Sequence, residues 1–581
     1  MRLAPSEDGR SEGGEPRAGM PLDGGPVDEE VDIAVIGGGV NGTGVARDLA
    51  LRELKVALFE RHDLGFGASG NSSGMIHGGP RYLLTTPGVT KSSCLDSGFI
   101  QKIAPHLLFR IPFLMPLMNG PHGRIMLELF DAFFRAYDDF QPLKRGEPHT
   151  RLDLPDLLRL EPGLTGPILG GMTFDEWGVD GARLCVMNAL DASERGAQIN
   201  VHAMVYALAK AAGDDATRAH PRYVLSVRDV LTNRTWRVRA KAVVNATGAW
   251  GPLTAALGGL PTSSVRIRPA KGIHVVFDRR LSNYGLMTNG IDGRQIFLEP
   301  WQNMSVIGTT DDDYYGDLND VRPTSEEVRY LVQGIARIFP AVREARIVAT
   351  WAAVRPTLYA FGLNEDKLSR EHEIVDHAAD GAPHVYSMLG GKLASYRLFS
   401  QEMSDRLARD FAPSSVCTTH TTPLPGGDRA ASDAALSDAA SVTHVAARRL
   451  VYRHGSRAEN VVRRIARRPR ERAVVCACEP VLEAEVRHVI EVEMARTVED
   501  VARRTRLGLG ACGGMRCAAR CGQILEGALD LAPGEGQRQA RAFLIRHART
   551  RIVAMGPAQA RQEALALAEL RSTLGTREDP G

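Results

Sequence analysis

VDIAVIGGGVNGTGVARDLALRELKVALFE, residues 31–60, decides the fold. VDIAVI is a nearly continuous apolar run, as suits a parallel strand buried on both faces. Gly37-Gly38-Gly39-Val40-Asn41-Gly42 follows at once and fits G-x-G-x-x-G. In such a turn Gly37 permits the tight bend, Gly39 lets the backbone approach a pyrophosphate, and Gly42 allows the next helix to pack closely on the strand. Val45 to Leu54 reads as that helix, whose N-terminus offers unpaired N–H groups and a positive dipole to phosphates. KVALFE is the second strand and ends at Glu60, 21 residues beyond Gly39, where a carboxylate accepts ribose hydroxyls. Together these predict a dinucleotide-binding βαβ unit, with FAD and NAD both open from this motif alone.

The surrounding chain has 581 residues, too many for one compact core. Its 44% apolar and 24% charged residues exclude wholesale disorder. With 71 basic against 69 acidic residues there is no whole-molecule field for nucleic acid, and no such partner is expected. No run approaches eighteen apolar residues and the N-terminus lacks an apolar h-region, so a cytoplasmic protein is expected. Residues 1–29, rich in Gly, Pro, Asp and Glu, read as a disordered extension. TTPLPGGD, from residue 421, marks a boundary, after which Ala and Arg at helical spacing continue to about 470.

Two later segments favour a resident flavin over a nicotinamide. KAVVNATG (241–248) is a strand running into a turn at Ala246, Thr247 and Gly248, in the manner of a second nucleotide-contacting turn. VYSMLGGKLASYR (385–397) is a strand, a Gly390-Gly391 turn and a helix start, whose N–H groups suit the negative charge of a reduced flavin.

With the opening motif, IHGGPRYLL (76–84), KGIHVVF (271–277), DGRQIF, IGTTDDDY (307–314), VRPTL (354–358) and GGKLASYR (390–397) resemble the FAD-dependent glycerol-3-phosphate dehydrogenases over about residues 30–420. The resemblance implies an α/β fold: a Rossmann-like FAD-binding domain with a sheet-based substrate cap. It places Arg81, Tyr82, Arg355, Arg370 and Lys392 around a phosphate monoester, Arg370 by its 15-residue distance from Arg355. His274 is the candidate base, and His77 a candidate flavin contact, each with an alternative structural reading. Lysine is scarce, nine against 62 arginines, and Lys271 and Lys392 both fall inside these motifs. Pro80, Ala394-Ser395 and Asp312 depart from the commoner family pattern.

Five of the eight cysteines fall between Cys476 and Cys521. Cys476-Ala-Cys478, then 33 intervening residues, then Cys512-Gly-Gly-Met-Arg-Cys517 is a paired thiolate pattern suited to zinc or an iron–sulfur cluster. Gly508, Gly510, Gly513 and Gly514 would let backbone amides turn towards the sulfurs. The stretch VVCACEPVLEAEVRHVI…RRTRLGLGACGGMRCAARC resembles the bacterioferritin-associated-ferredoxin-like [2Fe–2S] domain, which implies that Cys476, Cys478, Cys512 and Cys517 hold the cluster; these four complete a ligand set, and the role of Cys521 stays open. Such a domain behind a glycerol-3-phosphate dehydrogenase core is the arrangement of the large, A-type subunits in the anaerobic branch of the family. The expected organisation is therefore an FAD-dependent core over 30–420, a helical connector over 421–470, a [2Fe–2S] domain over 471–535 and a basic helical tail over 536–581. The expected reaction is oxidation of sn-glycerol 3-phosphate to dihydroxyacetone phosphate, with electrons leaving through the cluster to companion subunits of the B and C type and membrane quinone, and peripheral contact with the inner face of the cell membrane. The alternatives are a related flavoprotein oxidising another 2-hydroxy acid or an amine, and a non-enzymatic protein with a zinc-stabilised domain. HLLFRIPFLMPL (106–117) and the arginine-rich stretch 538–551 are candidate docking surfaces, with a cap core segment and a solvated helical face as the alternatives.

Overall fold

The computed structural model describes residues 27–80, 83, 87–211, 222–359 and 372–573. Arg81, Tyr82 and Arg370 lie outside these, as does most of the 1–29 extension.

The first strand runs Glu29–Ile36 and the helix after the glycine turn Val40–Leu51. Ile33 and Val35 enter one hydrophobic core while Ala34 and Ile36 enter another, so a continuous apolar run was needed to fill both faces. Six strands of this eight-stranded sheet run in the order His372–Asp376, Val385–Gly390, Thr235–Asn245, Glu29–Ile36, Val56–Phe59, Gln198–Asn200, parallel except at the His372–Asp376 edge, and Ala203–Lys210 and Tyr223–Asp229 add an antiparallel hairpin to Thr235–Asn245. The predicted strands at 56, 241 and 385 are thus neighbours of the first, and their carboxyl ends lie on one side of the sheet, where open α/β sheets bind ligands.

A second, largely antiparallel sheet of nine strands forms the cap. Its strand Ile267–Phe277 pairs with Met304–Gly308 on one side and with Ile347–Leu358 on the other. Ile273, Val275 and Phe277 pack with Leu331 and Ile335 of the helix Ser325–Ala336, and alternation turns Gly272 and His274 to the opposite face. Of the apolar stretch 106–117, Leu107 packs in the FAD-domain core and the rest from Leu108 lies on the strand Leu108–Met118, in which Ile111 and Leu114 are fully buried, so it is core rather than a docking surface.

Glu299, on the cap strand Gln295–Trp301, is a buried carboxyl whose oxygens have no hydrogen-bond partner among the described residues, and burial alone raises its pKa well above the carboxylate range. The unfolded chain ionises this group above about pH 4.5 while the folded chain keeps it protonated, so its contribution to stability is present below that pH and is lost as pH rises. Glu299→Gln is therefore expected to gain on the wild type as pH rises above about 5. Parallel urea titrations of both proteins at pH 5, 6.5 and 8 measure this, and a pH-independent difference would refute it.

The C-terminal region is helical. Asp433–Ala440, His444–His454 and Ala458–Arg467 share a core with Leu482 and Ala484. Glu483–Glu491, Val498–Thr505 and Ala518–Leu529 surround a second core containing Cys476, Cys517 and Cys521. The arginine-rich stretch lies on the helix Glu535–Ile552, which buries Phe543 and Leu544 in that same core.

Candidate active site and cysteine site

A cavity of about 2070 Å³ opens where the carboxyl ends of the FAD-domain strands meet the cap. A drug-sized ligand needs roughly 300–1,000 Å³, so this space suits a dinucleotide and a second molecule together. Gly37, Gly39 and Glu60 line one end, with Ala246, Thr247, Gly248, Gly390 and Gly391 beside them. Gly37 has φ +111°, and a Cβ there would lie 2.6 Å from the Ala246 carbonyl oxygen. A Cβ on Gly42 would lie 2.0 Å from the Gly37 carbonyl oxygen, which accounts for a glycine at a position outside the cavity lining. The helix from Val40 has no acidic residue in its first turn, and the Ser69 hydroxyl accepts its Val40 N–H at 3.0 Å.

Glu60 clamps this turn. Its two carboxylate oxygens accept the backbone N–H groups of Gly38 and His62, each at 2.7 Å. Burial raises its pKa against the opposing pull of those two bonds. Each oxygen keeps a further lone pair for a ribose hydroxyl. Asn245 holds the second turn: its Nδ2 donates to the Gly251 carbonyl at 2.9 Å and its Oδ1 accepts the Thr247 hydroxyl at 2.7 Å.

The other end of the cavity is built by the cap. Arg355 stands opposite Ala270 across the strand pair, and Gly272 clears its path: a Cβ on Gly272 would meet the guanidinium at 2.2 Å. Arg355 donates to the Thr309 hydroxyl at 2.8 Å and the Thr310 carbonyl at 3.2 Å, with Asp311 at 3.4 Å. The IGTTD segment thus aims the arginine of VRPTL, a role that neither motif revealed alone.

His274 lies over Gly308, where a Cβ would meet its Cδ2 at 2.4 Å. It lines the cavity, is 2% exposed, and neither ring nitrogen has a hydrogen-bond partner among the described residues. Burial, then the charge of Arg355, lowers its pKa to about 3, so the ring is neutral at ordinary pH. Lys392 and His77 line the same cavity. Lys271 does not: its ammonium pairs at 2.9 Å with Glu327, the capping residue of the helix Ser325–Ala336. Gly308→Ala is expected to displace the imidazole and to slow substrate reduction of the flavin by about a hundredfold, with FAD content unchanged. Anaerobic stopped-flow measures this, and an unaltered rate would exclude His274 from the chemistry.

Sequence reading missed the support beneath the His77 loop. Glu176 accepts the Gly78 N–H at 3.1 Å and the Tyr137 hydroxyl at 2.8 Å, and pairs with the fully buried Lys144 at 2.7 Å. The scarcity of lysine was the one available signal, and it applied to Lys144 as much as to Lys271.

The four paired cysteines come together in two couples. Cys478 Sγ and Cys512 Sγ are 3.7 Å apart, and Cys517, whose thiol donates to the Gly514 carbonyl at 3.7 Å, shares a buried core with Cys476. The neighbouring Cys517 thiol, with backbone N–H groups of Gly508 and Glu479, holds the Cys476 thiol below its ordinary range. Among the described residues no three of the cysteine sulfurs fall within 4.8 Å of one another. Gly510 is required for the approach, since a Cβ there would lie 2.4 Å from that of Cys478. Cys521 is fully buried in the helical core.

His454, His488 and Glu493 also cluster, but Arg183 of the FAD domain donates to Glu493 and to the Arg453 carbonyl at the same point. Burial would raise Glu493, yet Arg183 and His454 hold it well below the usual carboxylate range. A guanidinium already fills the place of a cation, so this group is a bridge between domains.

A doubly wound sheet with a glycine fingerprint at its strand ends, closed by a substrate cap, defines a flavin-type oxidoreductase. Residues 32–397 match the FAD dependent oxidoreductase family, and 417–533 match the C-terminal domain of alpha-glycerophosphate oxidase. The A-type subunit of the anaerobic glycerol-3-phosphate dehydrogenase of Escherichia coli K12 is 31% identical over 501 residues, covering 85% of this chain and 88% of the relative. The D-erythritol 1-phosphate dehydrogenase of Brucella abortus is 31% identical over 504 residues, covering 82% and 94%. In fold, the FAD-complexed glycerol-3-phosphate dehydrogenase of Bacillus halodurans matches with a TM-score of 0.70 at 23% identity, over 90% of this chain and 95% of that one. The chain belongs to the FAD-dependent oxidoreductases of the glycerol-3-phosphate dehydrogenase type, and FAD is its cofactor.

Proposed function

We propose that this protein oxidises sn-glycerol 3-phosphate to dihydroxyacetone phosphate and passes the electrons through a [2Fe–2S] cluster held by Cys476, Cys478, Cys512 and Cys517. The observation that carries the first part is one cavity with dinucleotide-binding turns at one end and Arg355, Lys392 and a neutral His274 at the other.

FAD, when bound, supplies the hydride acceptor. Arg355, oriented by Thr309 and Thr310, takes the substrate phosphate through its planar fork, and Lys392 adds a second cation. Arg81, Tyr82 and Arg370, beyond the described residues, complete this set in our reading. An imidazole nitrogen of His274 takes the C2 hydroxyl proton. The free ring resists protonation partly because of Arg355, and a phosphate on Arg355 cancels that charge, so His274 becomes a better base once substrate is bound.

The cysteine geometry supports a cluster over zinc. Two thiolates on one tetrahedral ion at about 2.3 Å each stand roughly 3.8 Å apart, close to the Cys478–Cys512 spacing. A single zinc would need all four sulfurs at that mutual spacing, whereas two separate couples suit two irons with two thiolates each. Such a cluster supplies one-electron transfer. Several relatives are named as one lettered subunit of an anaerobic dehydrogenase, which supports companion subunits, and to these we assign onward transfer to quinone at the inner face of the membrane. Among the described residues no helix is long and apolar enough to cross a membrane.

Anaerobic bleaching of the flavin tests the substrate. Glycerol 3-phosphate is expected to bleach it, and glycerol, 2-hydroxy acids and amino acids are not. Bleaching by D-erythritol 1-phosphate alone would move the assignment to the longer polyol phosphate, a reading the Brucella relative supports equally by identity. Absorption and EPR spectra after dithionite test the cluster.

A further inference from the structure

Behind His274 two indoles lead away from the cavity. The His274 ring stacks on Trp351 with centroids 5.6 Å apart, and Trp351 meets Trp301 edge-on at 5.1 Å. Trp301 carries the Arg506 guanidinium 4.0 Å above its ring. Ala511, the neighbour of Cys512, packs against the same apolar cluster as both tryptophans. The cap sheet therefore joins the flavin cavity to the cysteine loop through stacked and packed aromatic rings.

Simple space-filling does not account for them. The indole nitrogens of Trp301 and Trp351 are both buried with no hydrogen-bond partner among the described residues. A buried indole ordinarily finds such a partner, and a phenylalanine or leucine would fill the space without an orphaned N–H. An indole does offer extended, polarisable π density, through which electronic coupling decays less steeply than across a gap.

We propose that Trp351 and Trp301 are the positioning residues of an electron bridge from the flavin, past His274, to the cluster on Cys512. The proposal rests on the cluster reading above. Oxidation of one alcohol leaves two electrons on the flavin. Each that crosses reduces one ferric ion to ferrous, the flavin proton leaves to water, and the second crosses once the cluster has been reoxidised by its one-electron partner.

The test uses the full-length holoprotein and the variants Trp351→Leu, Trp301→Leu, both together, and the two single Phe variants. Glycerol 3-phosphate is mixed in anaerobically while flavin absorbance and the cluster EPR signal are followed separately. Relative to their own rate of flavin bleaching, the Leu variants are expected to reduce the cluster about tenfold more slowly or worse, because lost aromatic contacts leave poorly packed space, and Trp301→Leu, which does not touch His274, is expected to bleach flavin at the wild-type rate. The Phe variants should recover most of that rate. Cluster content and dithionite reducibility should stay unchanged in all, which a merely structural role would not guarantee. As a readout without turnover, loading the cluster should quench tryptophan emission in the wild type, and by a smaller fraction when Trp301 and Trp351 are leucine. Wild-type cluster reduction rates in the fully loaded double Leu variant would overturn the bridge alone. A wild-type protein without iron–sulfur bands would overturn the cluster reading, and the bridge with it, before any variant is made.

Discussion

Arg355→Ala is expected to lower kcat/KM for glycerol 3-phosphate by about a thousandfold, a loss of ~4 kcal/mol. Its guanidinium is only 27% exposed and is held by Thr309 and Thr310, so it meets an anion with little reorganisation. Removing it leaves the phosphate without its fork and facing the Asp311 carboxylate and the Thr310 carbonyl that the guanidinium had met. Arg355→Lys keeps the charge but loses the planar fork, and should recover part of the activity. Flavin reduction by dithionite is the control, because it involves no phosphate and should be unchanged when the residue is cut back. An unaltered kcat/KM for glycerol 3-phosphate in steady-state assays would show that Arg355 does not read the phosphate.

Asp63→Ala should cost about 3–5 kcal/mol and loosen the C-terminal region from the flavin domain. Asp63 has no exposed surface and accepts Arg504 at 2.7 and 2.8 Å and Arg503 at 2.9 Å, both from the helix Val498–Thr505. Arg504 is fully buried, so losing Asp63 removes the carboxylate bonded to it and leaves its guanidinium with the Glu493 and Asp500 carbonyls. Arg503→Ala, at a 22% exposed side chain, leaves the inner pair intact and should cost only about 0–1 kcal/mol. Denaturant titration followed by flavin fluorescence measures both, and limited proteolysis reports the loosened region. Similar costs for the two variants would contradict the assignment. Asp63 lies three residues beyond Glu60, so FAD binding and docking of the cysteine domain share one loop.

The pH behaviour of Glu299 and the effect of Gly308→Ala rest on features that motif reading did not contain. Glu299 looks like any strand carboxylate in the sequence, and its isolation comes from its burial within the folded cap. Gly308 stands in a recognisable segment, but its purpose is the imidazole it admits from the adjacent strand.

The chain by itself determined the βαβ unit, the second and third nucleotide turns, the family resemblance and the cysteine spacing. Each is a local pattern: apolar period, glycine position and residue spacing act within one strand, turn or helix and survive without knowledge of partners. Tertiary structure decided which of two motif lysines faces the cavity, which segment aims Arg355, and that the stretch at 106–117 is core. It also decided that Asp63 meets Arg504, 441 residues away, and that Trp301 and Trp351 lie between the cavity and the cysteine loop. Sheet register and domain docking set those contacts, and both minimise the energy of the whole chain, so no short window of residues carries them.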